Sequence, residues 1–251
     1  MAQRFNVVIG DDGTPRAEKR GDPAALDREA AALAAVAGRP WAPALLRHEP
    51  GLLVTALVPG GSRHLAGLGP VDARRLGAVL REVHDTRSAA VGGLWWWPVP
   101  ARDLTTYREA RVRDAEAALA GTPDAGLPHR FAAEPVPPGD AFALLHGDLV
   151  AANVLWRPGG GPVLIDWEFH RMGDPAEDLA YLAEVNGLPD AVLAAVLEGH
   201  GTPGIAARVE GWRGLVAADA GGWYLGQGMR DDAARMLARA RARAPAAAPP
   251  G

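Results

Sequence analysis

Between Leu144 and Leu182 the chain reads LLHGDLVAANVLWRPGGGPVLIDWEFHRMGDPAEDLAYL, and this stretch constrains the fold more than any other. Asn153-Val154-Leu155-Trp156 is a short apolar run, and Val163-Leu164-Ile165 is a second, rich in β-branched residues. The intervening Arg157-Pro158-Gly159-Gly160-Gly161-Pro162 reads as a turn. A hairpin folded about these glycines sets Asn153 and Asp166 roughly opposite each other at its open end. Directly opposed strand residues have Cα atoms about 5 Å apart. An amide oxygen and a carboxylate at that spacing can share one hard cation. Mg²⁺ takes oxygen ligands and keeps several waters, so Asn153, Asp166 and a phosphate suffice to hold it.

Just upstream lies His146-Gly147-Asp148. The spacing of His146, Asp148 and Asn153 resembles the catalytic loop of protein kinases, with Gly147 in the place of an arginine. Asp166-Trp167-Glu168 matches the kinase metal-binding motif at its aspartate alone. Gly173-Asp174-Pro175-Ala176-Glu177 reads as a helix start, with Asp174 as N-cap, Pro175 in the first turn and Glu177 as the far member of a capping box. The ordered set HGDxxxxN, IDWE and GDPxxDLAY is similar to that of the aminoglycoside phosphotransferase family. Those enzymes resemble protein kinases in fold and include relatives acting on choline, homoserine and other small alcohols. The match is tight from Leu144 to Leu182 and looser over most of the rest.

That resemblance implies an α+β, bilobal protein-kinase-like fold, with a short β-rich amino-terminal lobe and a mainly helical carboxy-terminal lobe. It places the lobes at residues 1–58 and 59–244, followed by a frayed tail over 245–251. It implies transfer of the ATP γ-phosphoryl group to a small-molecule hydroxyl. Asp148 would orient the hydroxyl and accept its proton, while Asn153 and Asp166 would hold Mg²⁺. By the same resemblance Asp178 braces the catalytic loop; a plain first-turn carboxylate favoured by the helix dipole is the alternative.

The chain has 251 residues, 48% of them hydrophobic, enough for one large domain or two modest lobes. It has no cysteine, which excludes disulfides and thiolate metal sites. No apolar run reaches membrane-spanning length and no signal-peptide pattern opens the chain, so the expectation is a soluble, cytoplasmic protein without a membrane partner. A formal net charge of −4 argues against a nucleic-acid partner.

Taken in order, Phe5 to Ile9 reads as a strand, Asp11-Asp12-Gly13 as a hairpin turn and Thr14 to Arg20 as the return strand. Ala17 and Lys19 share one face of that strand. Kinases use such an A-x-K pattern, which implies that Ala17 leaves room for adenine and that Lys19, the only lysine, reaches the phosphates. An exposed edge strand of mixed charge is the alternative. Pro23 to Ala37 reads as a helix stopped by Gly38 and Pro40, and Glu29 on it would pair with Lys19 as in kinases. Gly51 to Val58 resembles the strand and hinge between kinase lobes, which implies that the backbone of Thr55, Ala56 and Leu57 faces adenine. Val71 to His84 is an amphipathic helix. Trp95-Trp96-Trp97-Pro98 points to a lid or core packing. Asp103 to Ala120 is helical and Gly121 to Gly139 is a connecting loop. Asp190 to Glu198 and Ile205 to Ala218 are helical, and Trp223 to Ala244 continues helical, with Gly226 and Gly228 weakening its start.

The family's first strand and part of its glycine-rich turn have no counterpart here, since Met1 to Asn6 supplies only the end of that turn. The start lies upstream, or a trimmed lobe binds ATP, or catalysis is lost and a nucleotide-binding pseudokinase remains. The presence of Lys19, Asp148, Asn153 and Asp166 together favours a kinase. A kinase of a small amino alcohol such as choline or homoserine is the second alternative. From Asp140 to Ala234 there are 14 Asp and Glu against five Arg and no Lys, a balance of −9. An acidic cleft wall concentrates cations. The expected acceptor is therefore cationic, such as an aminoglycoside or a basic peptide antibiotic.

Overall fold

The computed structural model describes residues 4–86, 101–132 and 142–245. Its amino-terminal part is a four-stranded antiparallel sheet, in the order β1 (Arg4–Ile9), β2 (Pro15–Arg20), β4 (Leu52–Ala56) and β3 (Leu45–Glu49). The register pairs Phe5 with Lys19, Val7 with Ala17 and Ala17 with Thr55, so these side chains lie on one face. Helix α1 (Pro23–Ala35) starts where Asp22 accepts a hydrogen bond from the Ala25 N–H, with Pro23 at the first helical position. Leu26, Glu29, Ala30 and Leu33 are buried along it.

Strand β3 was not expected from the sequence. Four of its five residues are exposed, so it carries no alternation of apolar and polar positions. Strand β1, at the other edge, exposes an apolar row: Phe5 is 63%, Val7 55% and Ile9 67% accessible.

The rest is mainly helical: α2 (Pro70–Asp85), α3 (Leu104–Ala118), α4 (Pro175–Asn186), α5 (Asp190–His200), α6 (Ile205–Gly226) and α7 (Arg230–Arg243). Leu76, Leu80 and Val83 of α2 are fully buried. Side chains of this kind each contribute about 1.5–3 kcal/mol when taken out of water. Helices α2 and α5 approach closely because Gly77 and Gly199 carry no side chain. A Cβ at Gly77 would run into the Val196 carbonyl, and one at Gly199 into the Arg74 carbonyl.

Helix α6 joins stretches read as helical, and it ends at Gly226, where the glycines were expected to weaken it. It continues through Gly221 and Gly222, and the chain turns only at Gly228. A Cβ added at Gly221 would come within 2.7 Å of Leu237, and one at Gly222 within 2.8 Å of Ala118, too close for either to fit. Close packing here outweighs the low helix propensity of glycine. Tryptophans 95–97, residues 133–139 of the expected loop and residues 246–251 of the expected tail fall outside the described residues.

Three short strand pairs position the central stretch. β6 (Ala143–Leu145) pairs with β9 (Arg171–Gly173), and β7 (Val154–Trp156) pairs with β8 (Pro162–Leu164) and with β5 (Gly61–Ser62). Trp167 is fully buried beside His146 and Trp41, at ring-centre distances of 4.7 Å and 5.8 Å.

Candidate active site

The hairpin forms as expected, with a shift in register. Val154 faces Leu164, and the Ile165 N–H donates to the Asn153 carbonyl at 3.0 Å. Asn153 therefore opposes Ile165, and Asp166 lies one residue further along. Asp166 adopts a left-handed backbone, φ 64°, the sole positive φ outside glycine among the described residues. Such a conformation costs an aspartate on the order of 1–2 kcal/mol, a strain that tends to occur at functional positions.

The side chain so placed meets the amino-terminal sheet. Lys19 Nζ donates to Asp166 Oδ1 at 2.6 Å, to Glu29 Oε2 at 2.7 Å and to Glu168 Oε2 at 3.3 Å. Burial works against the Lys19 charge, but Glu29 and Asp166 outweigh it and raise the ammonium pKa. Burial, with Asp166 beside it, pushes the Glu29 carboxyl up. The expected Lys19–Glu29 pair is therefore present, and Glu168 joins it. Glu168 was passed over in the sequence because kinases do not carry an acid there.

Oxygens of Glu29, Asp166 and Glu168 all lie within 4.8 Å of one another. An all-oxygen, acid-rich set of this size suits Mg²⁺. These residues border a cavity of about 340 Å³ whose lining includes Phe5, Ala17, Lys19, Leu53, Thr55, Ala56, Leu57, Val58, Leu155 and Ile165. The six residues assigned to the nucleotide from the sequence, Ala17, Lys19, Glu29, Thr55, Ala56 and Leu57, thus share one mainly apolar cavity. Phe5 is an additional lining residue, presented by its pairing with Lys19.

Asp148 is held at the other end. Asn153 Nδ2 donates to Asp148 Oδ2 at 2.9 Å and to its carbonyl at 3.0 Å. This commits the amide nitrogen of Asn153 to the loop and leaves Oδ1 as the atom that could meet a cation. Tyr181 Oη donates to Asp148 Oδ1 at 2.9 Å. His146 Nε2 donates to the Ile165 carbonyl at 2.9 Å, so this histidine ties the loop to the hairpin. Gly147 has φ 82°, and a Cβ there would meet the Phe169 carbonyl. No larger residue fits that position without moving the loop.

Asp178 accepts from the His146 N–H at 2.8 Å, the Gly147 N–H at 2.9 Å and His84 Nε2 at 3.2 Å. Burial opposes its ionisation, yet the His84 hydrogen bond and charge hold the carboxyl below the usual range. His84 Nδ1 in turn meets His200 Nε2 at 3.0 Å.

Glu177 has a different setting from the expected capping box. It is fully enclosed and accepts from Arg111 at 2.8 Å, Arg171 at 2.7 Å and Tyr107 at 2.5 Å. Asp174 is the N-cap, as expected, and accepts from the Ala176 N–H without help from Glu177. A buried carboxylate needs full charge compensation, and two guanidinium groups supply it better than one backbone amide.

Residues 14–215 match the model of the phosphotransferase enzyme family. A segment of 81 residues is 41% identical to viomycin phosphotransferase of Streptomyces vinaceus; it spans 30% of this chain and 28% of that protein. Among solved structures, a macrolide 2'-phosphotransferase from Brachybacterium faecium superimposes with a TM-score of 0.69 at 22% identity, covering 98% of this chain and 93% of that one. A Plasmodium vivax ethanolamine kinase gives 0.69 at 14% identity, covering 96% and 82%. These likenesses establish the bilobal protein-kinase-like fold.

Proposed function

The chain belongs to the phosphotransferase enzyme family, and on that premise we propose that it transfers the γ-phosphoryl group of ATP to a hydroxyl of a small molecule. The observation that carries this reading is the Lys19–Asp166 contact at 2.6 Å. It joins the only lysine, on the sheet, to the hairpin aspartate that follows the Asp148–Asn153 loop. Asp148 orients the acceptor hydroxyl and takes its proton. Lys19, steadied by Glu29, neutralises phosphate charge. Asn153 Oδ1 and Asp166 would hold Mg²⁺, which shields the phosphates. Catalysis of this kind rests on positioning and electrostatics, so small displacements are costly.

The acceptor is proposed to be cationic, given the excess of acids between Asp140 and Ala234. A relative that phosphorylates viomycin supports a basic antibiotic, while the fold is shared with an ethanolamine kinase. ADP release from Mg·ATP with viomycin, an aminoglycoside, a macrolide, choline, ethanolamine and homoserine tests both parts. Turnover with a cationic acceptor, and a KM that rises with salt because exposed charges are screened over about 10 Å at 0.1 M, is the expected result. An efficient neutral acceptor ends the cationic reading alone. Nucleotide binding without ADP release for any acceptor favours the pseudokinase.

A further inference from the structure

Helix α4 touches the catalytic loop through three of its residues. Asp178 takes the backbone N–H groups of His146 and Gly147. Tyr181, three residues on, reaches the Asp148 carboxylate. Asn186 donates to the Leu149 carbonyl at 2.7 Å. Asp178 and Tyr181, three residues apart, share a helix face, and Asn186 at the helix end completes the contact, so the helix meets loop residues 146 to 149 in order. Two of these contacts fix backbone. The Tyr181 contact alone acts on the side chain that meets the acceptor.

We propose that Tyr181 is a positioning residue for phosphoryl transfer, holding Asp148 in the one rotamer that presents it to the acceptor hydroxyl. The inference rests on the proposed role of Asp148 as the base. An ionised carboxylate offers about four lone-pair sites. Tyr181 occupies one on Oδ1 and Asn153 one on Oδ2. The carboxylate is thereby pinned from both sides, with lone pairs to spare on a residue that is only half-buried. Removal of the phenol leaves Oδ1 without its protein donor and frees rotation about the Cβ–Cγ bond. Tyr181 remains a donor across the working pH range, because burial and the nearby Asp148 charge both keep its phenol protonated.

The test is Tyr181→Phe, which keeps the ring and its packing, beside Asp148→Asn as reference. ADP release from Mg·ATP is measured with viomycin and with water as acceptors. Hydrogen bonds to charged groups in the transition state correspond to a loss of about ten-fold or more in kcat. The expected result is that loss with KM for ATP and Tm unchanged, and a crystal structure of the variant in which Asp148 has left its rotamer. Turnover within two-fold of wild type, or an Asp148 side chain unmoved in that crystal structure, overturns the inference. The structure reads the rotamer even where no acceptor supports turnover. Equal ADP release by wild type and Asp148→Asn instead removes the base from its role, a separate failure.

Discussion

The two ends of the site are held by opposite means. At the Lys19 end, one ammonium bridges three carboxylates from two regions of the chain, α1 and the segment after β8. At the Asp148 end, the carboxylate is held by a neutral phenol and a neutral amide, with its loop tied to Asp178 of α4 and to the Ile165 carbonyl just after β8 by hydrogen bonds. The first arrangement is a charge balance that a cation and a phosphate can redistribute. The second is a hydrogen-bonded frame that stays the same whatever enters. On the proposed function the difference separates an end that a nucleotide and metal would rearrange from an end whose geometry is set in advance, as transition-state stabilisation demands.

The largest effect should come from the rigid end. Asp148→Asn keeps the shape and the Tyr181 and Asn153 neighbours but removes the proton acceptor. Turnover should fall by orders of magnitude, with ADP affinity within about two-fold of wild type, since a general base contributes roughly 10²–10⁴ in rate. A steady-state assay with parallel calorimetry decides this; turnover within a few-fold of wild type breaks the contrast.

The next effect probes the adjustable end. Asp166→Ala should weaken nucleotide binding more in the presence of Mg²⁺ than in its absence. Without the metal, Asp166 only competes with phosphate for Lys19; with it, a ligand is lost. Calorimetry showing equal losses in both conditions would count against Asp166 as a metal ligand.

The smallest effect is on stability and again separates the ends. Burial, with His84 alongside, pushes His200 down to about 3, and burial pushes His170 down to about 4. The ordinary value is about 6.5. Both folded pKa values lie below the unfolded one, so the unfolded chain takes up protons first as pH falls. Stability that is full above about pH 6.5 is therefore lost progressively toward pH 4. The Tm should drop between about pH 7 and pH 5, and Mg²⁺ alone should not restore it, because His200 belongs through His84 and Asp178 to the frame around Asp148, and His170 donates to the Trp167 carbonyl. A flat Tm over that interval, followed by scanning calorimetry, would show the frame to be insensitive to acid.

How much of this was legible in the sequence follows from how local each feature is. The hairpin, the His146–Asp148–Asn153 spacing and Asp166 could be read because their partners lie within a few residues of one another. Lys19 and Glu29 needed the family pattern to be paired across the sheet and α1. Glu177 was misread as a cap because its partners Arg111 and Tyr107 lie far away in the chain, and a local motif offered itself first. Tyr181 could have been found from its three-residue step from Asp178. Strand β3 could not, because an edge strand with both faces wet leaves no periodic trace. The exact register of Asn153 also escaped, since the glycine turn fixes a hairpin but not which residue it pairs.

The glycine contact between α2 and α5 has a consequence for anyone wishing to stabilise the enzyme. Replacing helix glycines by alanine ordinarily gains about 1 kcal/mol each. Gly77 and Gly199 look like suitable targets, but each added methyl would strike a carbonyl of the opposite helix. The helices would have to separate, and His84, two turns beyond Gly77, would draw away from His200 and Asp178. A change chosen for thermostability would thus be felt as lost activity, with no residue of the phosphate chemistry altered.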